Sequence, residues 1–276
     1  MKKRPILRKM LCLLLILLAL AVWFHYENNA LIVSSHAIQA ENLPRALDGF
    51  KIIQISDLHG KTFGENQQDL IQRIQAEQPD LIALTGDMAD AHRFDPAPAL
   101  ELARRAVDIA PVYCVTGNHE NRLSDEQRAQ FLDAFRQIGV QVLENQAVSI
   151  TRSGARLDLI GLDDGSLTDS TLPALCDALS PGVFRVLLAH QPQYFDFYAR
   201  YADLTLSGHA HGGQIRLPGL GGLFAPGQGF FPQYTSGVHE KNGRHLIISR
   251  GLGNSLFPLR LFNRPELVCI TLNAKT

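Results

Sequence analysis

Short apolar runs that end abruptly on polar side chains recur along this chain, and stretches with apolar residues at helical spacing lie between them. KIIQIS (51–56) reads as a strand ending at Asp57-Leu58-His59-Gly60, and NQQDLIQRIQAEQ (66–78) reads as a helix that Pro79 stops. DLIALT (80–85) ends at Gly86-Asp87, a helix follows over about 97–109, and PVYCVT (111–116) ends at Gly117-Asn118-His119-Glu120. A helix over 124–138, strands near 140–150 and 156–162, and the runs FRVLLAH (184–190) and DLTLSGH (203–209) continue the pattern, both runs ending on histidine. Residues 212–232 are rich in Gly and Pro, with GLGGLFAPGQGFF (219–231) read as a packed hairpin in preference to a loop that touches lipid, and strands near 245–250 and 266–272 close the chain. The alternation predicts an α/β protein with two packed sheets flanked by helices, and functional loops gathered at the carboxyl ends of the strands.

The N-terminus departs from this pattern. Lys2, Lys3, Arg4, Arg8 and Lys9 precede an uncharged run from Met10 to Phe24. Fifteen helical residues reach only about 22 Å, short of a ~30 Å hydrocarbon core, so length alone fits a cleaved signal as well as a short anchor. The apolar run continues through Val22, Trp23 and Phe24 past the small residues Ala19 and Ala21, a poor exit from a signal-peptidase site. Trp23 and Tyr26 suit an interfacial belt instead, so residues 1–27 are read as a basic leader with a retained signal-anchor and 28–276 as the catalytic domain. The excess of basic residues before the span predicts a single-pass membrane protein, its N-terminus in the cytoplasm and its catalytic domain outside.

Setting those five basic residues aside leaves 21 Lys and Arg against 27 Asp and Glu, a formal charge of −6 that argues against a nonspecific nucleic-acid binder. Cys114, Cys176 and Cys269 are an odd, widely spaced set and read as buried thiols, not a disulfide framework. GxSxG, GxGxxG and P-loop patterns are absent, which removes the motif basis for serine-hydrolase, dinucleotide and P-loop readings.

The polar residues at the strand ends carry the candidate chemistry. Asp57, His59, Asp87, Asn118, His119, His190, His209 and His211 include five of the ten histidines, and as oxygen and nitrogen donors they suit Mn, Fe or Zn. Any one of them alone reads as well as a turn or cap residue. Five clusters in series do not, and the glycines before Asp87, Asn118 and His209 leave the backbone room to turn there. His92, His239 and His245 have no such frame and read as ordinary surface or core histidines.

The series DxH, GD, GNHE, H and GHxH, matched in order over roughly residues 50–250, resembles the calcineurin-like metallophosphoesterases. That resemblance implies their fold, two packed mixed β-sheets flanked by α-helices in four layers. It also implies two divalent metal ions, one held by Asp57, His59, Asp87 and His211 and the other by Asp87, Asn118, His190 and His209, with Asp87 bridging. Two such cations clamp a phosphoryl group and lower the pKa of a bridging water toward 7, giving a hydroxide for in-line attack. His119 is implied as the catalytic group that protonates the leaving oxygen, with Asp57 as its orienting partner, and Glu120 as a hydrogen-bond partner behind the ligands. Asp90 stands where the purple acid phosphatases have a tyrosine ligand, which disfavours that subgroup.

The tail SRGLGNSLFPLRLFNRPE (249–266) and HGGQIRLPG (211–219) are similar to a bacterial, membrane-associated YaeI/YkuE-like branch of phosphodiesterases. Arg250, Asn254 and Arg260 in that tail are candidate substrate contacts. The implied activity is hydrolysis of a phosphodiester or pyrophosphate bond in a lipid or envelope substrate. UDP-2,3-diacylglucosamine, a lipid A precursor, is the named candidate, but a UDP-linked substrate is cytosolic and conflicts with the outward topology. A catalytically silent metal-binding scaffold on the same fold is the alternative, although no ligand of the series is missing.

Overall fold

The polar strand ends converge because two sheets share one edge. The computed structural model describes residues 3–166, 170–254 and 259–275. Helix α1 (Lys3–Asn29) leads into β1 (Ile32–Ala40), β2 (Phe50–Ile55), α2 (Gln68–Glu77), β3 (Leu81–Thr85), α3 (Ala97–Ala106), β4 (Val112–Val115), α4 (Asp125–Ile138) and β5 (Gln141–Val142). The second half supplies β6 (Gln146–Arg152), β7 (Ala155–Gly161), α5 (Thr171–Asp177), β8 (Phe184–Leu188), α6 (Phe195–Tyr198) and β9 (Leu204–Ser207). Two short pairs follow, β10 (Arg216–Leu217) with β11 (Gly221–Gly222) and β12 (Phe224–Ala225) with β13 (Gly229–Phe230). The chain ends with β14 (Gly237–Lys241), β15 (Arg244–Ile248) and β16 (Glu266–Ala274).

One six-stranded sheet runs β1-β16-β2-β3-β4-β5 and the other β14-β15-β9-β8-β7-β6. In the first, β2 to β5 are parallel and β16 runs antiparallel to β2. In the second, β7, β8, β9 and β15 are parallel, with β6 and β14 antiparallel at the two edges. Parallel strands need crossovers, and the helices supply them with one apolar face each. Leu70, Ile71 and Ile74 of α2 and Ala99, Leu102, Ala103 and Ala106 of α3 are buried on the first sheet. Ser124 opens α4 by accepting the Gln127 N–H at 3.2 Å in a capping box, and Gly139, at φ 107°, closes it.

The faces between the sheets interleave Ile52, Leu81, Tyr113 and Ile270 with Leu157, Phe184, Val186, Leu204 and Ile247. Each such side chain, fully buried, contributes roughly 1.5–3 kcal/mol of transfer free energy. α5 and α6 cover the outer face of the second sheet through Leu172, Tyr198 and Phe195. The result is the four-layer α/β/β/α arrangement that the sequence predicts. A buried polar tie joins the layers beneath the shared edge, where Gln54 Nε2 of β2 donates to the Ser207 carbonyl of β9 at 2.8 Å.

Two elements differ from the sequence expectation. β1, which the apolar pattern does not mark, is an edge strand whose residues Ile32 to Ala40 pair with β16 on one side only, so its exposed Ser35 and Ala37 blur the alternation. Helix α1 continues past Phe24 to Asn29, and its apolar segment Leu7–Asn29 has 23 residues. That is roughly 34 Å, long enough to cross a bilayer. Cys114, Cys176 and Cys269 are buried free thiols.

Candidate metal centre

The ligand candidates sit at the carboxyl ends of parallel strands from both sheets. Asp57 and His59 follow β2, Asp87 follows β3, Asn118 follows β4, His190 follows β8, and His209 and His211 follow β9. Five of them, Asp57, His59, Asp87, His209 and His211, hold left-handed backbone conformations with φ between 48° and 65°. Each costs about 1 kcal/mol or more for a residue with a Cβ, and the surroundings enforce it. A Cβ on Gly208 would fall on Ser56 Oγ and one on Gly117 on Asp87 Oδ1, so the first glycine lets loops of the two sheets touch and the second lets neighbouring loops of the first sheet do so.

Among the described residues the donor atoms form three overlapping groups: two share Asp87, and a third joins His59 to Asp90 and His119. Asp57, His59, Asp87 and His211 present ligand atoms all within 4.8 Å of one another, and so do Asp87, His190 and His209. Nε2 of His59 and of His211 are 3.2 Å apart, as are His209 Nδ1 and His190 Nε2, with Asp87 Oδ2 3.6 Å from His59 Nε2 and 3.2 Å from His190 Nε2. His190 Nδ1 lies 2.8 Å from the Thr85 carbonyl, which fixes the ring so that Nε2 faces Asp87. The Asn118 Oδ1 atom is buried without a hydrogen-bond partner. An orphaned amide oxygen beside converging imidazole nitrogens and two carboxylates is a donor set for divalent cations of the Mn, Fe or Zn kind.

Electrostatics support the same use. Burial holds the His59 and His211 rings below the ordinary imidazole range and takes His209 down to about 3, so these three offer free lone pairs at neutral pH. Burial opposes charge on His190 and Asp87 too, but their mutual attraction wins, raising His190 well above and lowering Asp87 well below the usual values. A proton thus sits where a cation shared by the pair would displace it. Glu120 lies behind this layer. Its carboxylate accepts the N–H groups of Asp87 (2.9 Å), Gly117 (2.7 Å) and Ala89 (3.0 Å), clamping the GD and GN turns together, while burial and the Asp87 charge push its pKa up to about 7.

The structure corrects the pairing expected for His119. The carboxylate beside it is Asp90, whose Oδ1 is 3.4 Å from His119 Nδ1, whereas Asp57 accepts the His209 N–H at 3.0 Å and faces His211 Nε2 at 3.5 Å. Asp90 lies three residues past Asp87, and the turn between them returns it to His119, a path that spacing alone does not reveal. The Ala91 N–H donates to His119 Nδ1 at 3.0 Å, which leaves the proton of the neutral ring on Nε2. The His59 and His119 rings meet edge to face at 4.5 Å, so that proton is held beside the ligand groups. Arg122, exposed on the turn that follows and close enough to disfavour charge on His209, is a cation near the site that the sequence reading passed over.

Arg250, Asn254 and Arg260 are also placed otherwise than expected. Arg260 has no exposed surface, and its guanidinium donates to Asn254 Oδ1 (2.7 Å) and to the carbonyls of Arg250 (2.8 Å), Asn263 (3.3 Å) and Gly253. The loop's carbonyls turn inward, and a five-donor fork satisfies them. Arg250 pairs with Glu266 at 2.9 Å. The loop these residues build holds a ligand from behind, since the N–H of Gly253 donates to the Asp57 carbonyl at 2.6 Å. Among the remaining histidines, His92 is exposed, His239 lies 3.3 Å from the Ser236 carbonyl, and His245 faces Glu240.

Comparison with known proteins agrees with this geometry. The profile of the calcineurin-like phosphoesterase family matches residues 50–213. The metallophosphoesterase YkuE of Bacillus subtilis (strain 168) is 31% identical over 258 residues, covering 91% of this chain and 88% of YkuE. Phosphodiesterase YaeI of Escherichia coli (strain K12) is 32% identical over 230 residues, covering 81% of this chain and 82% of YaeI. The NAD nucleotidase of Haemophilus influenzae shares the fold at 15% identity and a TM-score of 0.50, over 72% of this chain and 44% of that one. With strand-end motifs, buried donor cluster and family profile in agreement, the chain belongs to the calcineurin-like metallophosphoesterases and is a hydrolase of phosphoester bonds.

Proposed function

We propose that the chain is a dinuclear metal-dependent phosphodiesterase acting on a membrane-associated lipid or envelope substrate. The observation that carries this reading is the division of the buried donors into two groups sharing Asp87, the one carboxylate close to histidines of both. Asp57, His59, Asp87 and His211 would hold one cation, and Asp87, Asn118, His190 and His209 would hold the other. Two divalent cations there supply Lewis acidity toward a phosphoryl oxygen and make water acidic enough to serve as nucleophile at neutral pH. His119 is placed to pass a proton to the leaving oxygen, with Asp90 Oδ1, 3.4 Å from its Nδ1, orienting the ring. Arg122 offers a positive charge to the substrate's phosphate.

Helix α1 is taken as a retained single-pass anchor with its N-terminus in the cytoplasm and residues 28–276 outside. The outward topology favours a lipid or envelope phosphodiester over a UDP-linked lipid precursor. The test is hydrolysis of bis-p-nitrophenyl phosphate and p-nitrophenyl phosphate by the full chain in detergent, with added Mn and with chelator. The reading expects metal-dependent cleavage with the diester preferred. Folded, metal-loaded protein that cleaves neither compound would move the silent-scaffold alternative ahead.

A further inference from the structure

The end of α1 is built into the catalytic domain at the loop that backs the metal cluster. Glu27 accepts the Asn263 N–H at 3.2 Å, Asn28 exchanges hydrogen bonds with the Arg260 backbone at 2.8 and 3.2 Å, and Arg264 donates to the Tyr26 hydroxyl at 2.8 Å. Trp23 meets Phe262 edge to face at 5.4 Å. The same loop touches the cluster one residue on, where Asn263 Nδ2 donates to the His211 carbonyl at 2.7 Å. Helix end, loop and metal ligand therefore form one connected body.

A ribbon of short pairings extends from that loop. Arg216 donates to the Leu261 carbonyl at 2.9 Å, β10 pairs with β11, and Phe231 donates to the Leu223 carbonyl at 2.9 Å. Residues 219–231 are thus paired, as the sequence predicts, yet the ribbon turns its large apolar side chains outward. Leu220, Phe224, Phe230, Phe231, Leu259 and Phe262 are 42% to 73% exposed. A soluble surface seldom carries a cluster of this kind.

The chain itself indicates what covers it. If α1 crosses a bilayer, the uncharged run within its Leu7–Asn29 segment lies in the hydrocarbon and the helix end from about Trp23 to Asn29 reaches the headgroup level. Phe262, packed on Trp23, then lies at that depth, and the ribbon bonded to Leu261 runs out from it along the membrane. Exposed aromatics attached to a spanning helix have the composition of an interfacial belt.

We propose that this aromatic apron sits in the headgroup region of the bilayer that α1 crosses and holds the catalytic domain, with its metal cluster, close to the membrane surface. The substrate class that follows is a phosphodiester carried on a lipid of that bilayer. The inference rests on the anchor and phosphodiesterase readings, and its test separates it from both. Trp23 is the chain's one tryptophan, so its quenching by brominated phosphatidylcholine in vesicles holding the full chain reports the anchor. The variant carrying Trp23→Phe and Phe231→Trp reports the apron.

Strong quenching in both proteins is expected. Quenching of Trp23 without quenching at position 231 overturns the apron and spares the anchor, while an unquenched Trp23 removes the anchor and the proposal with it. A second arm compares hexadecyl p-nitrophenyl phosphate embedded in vesicles with bis-p-nitrophenyl phosphate in water. Phe230→Ser with Phe231→Ser should lower cleavage of the embedded diester by roughly tenfold and leave the soluble one within about twofold. Equal effects on both diesters count against the proposal, and a wild type inert to both counts against the phosphodiesterase reading.

Discussion

Two polar clusters lie buried side by side in this protein, and they are built on opposite plans. Around Arg260 all three guanidinium nitrogens donate, mostly to main-chain carbonyls of its own loop. Around Asp87 imidazole nitrogens face one another at 3.2 Å, Asn118 Oδ1 has no partner, and five residues hold left-handed backbones. Satisfied polar groups make a scaffold. Unsatisfied, strained and mutually repelling ones mark a place where something else binds. Burial alone does not separate the two, since Arg260 is as buried as any ligand.

The largest break in that comparison should come from Asp87→Ala, which removes the carboxylate common to both donor groups. We expect diester turnover to fall by at least about 10³-fold, with circular dichroism unchanged; a loss of only a few fold contradicts a shared ligand. His119→Ala should cost about 10²-fold in kcat with bound metal unchanged, because its role is the proton and not the cation. Metal lost along with the rate would instead make His119 a ligand.

Arg260→Ala tests the other cluster. It strands the carbonyls of Arg250, Gly253 and Asn263 and opens a cavity, and should lower stability by roughly 3 kcal/mol. The molecules that remain folded should keep diester turnover within about tenfold, because Arg260 bonds none of the ligand side chains and reaches Asp57 and His211 through the loop and its charge. A full loss of rate at unchanged stability would restore the substrate role that the sequence suggested.

The smallest effect is in pH. In chelated protein, His59, His209 and His211 titrate below the unfolded value of about 6.5, so between pH 6.5 and 5 the unfolded chain binds protons that the native state refuses. Glu120, raised to about 7, works in the opposite direction over the same window, and His190, raised in the native state, adds to it only near pH 6.5. Three groups outweigh one, so stability should fall on acidification by on the order of 1 kcal/mol per pH unit. The thermal midpoint in detergent at pH 6.5 and 5 measures it, and a midpoint that rose on acidification would refute the assignment of neutral rings.

The ligand set was legible because each member ends a strand that its apolar run already marks, and strand ends of parallel sheets share an edge. Asp57 and His209 are 152 residues apart yet bonded; the alternation of strands and helices put both at strand ends, and the motif resemblance implied that they share a site. Contacts that turns create were not legible. Asp90 reaches His119 by the path of one loop, and Arg260 turns inward because carbonyls of its own loop point there. Nor was β1 readable, since an edge strand with one paired side carries a weak alternation. Charge misled at Arg260, where the prior that arginine seeks water or phosphate yielded to local carbonyl geometry.

The most direct test of the central claim is to strip the full chain with chelator and titrate it with Mn, following bound metal and bis-p-nitrophenyl phosphate hydrolysis together. The two-group architecture predicts that activity is absent without metal and reaches its plateau as the second equivalent binds. A plateau at one equivalent, or hydrolysis undiminished in the stripped protein, would contradict it.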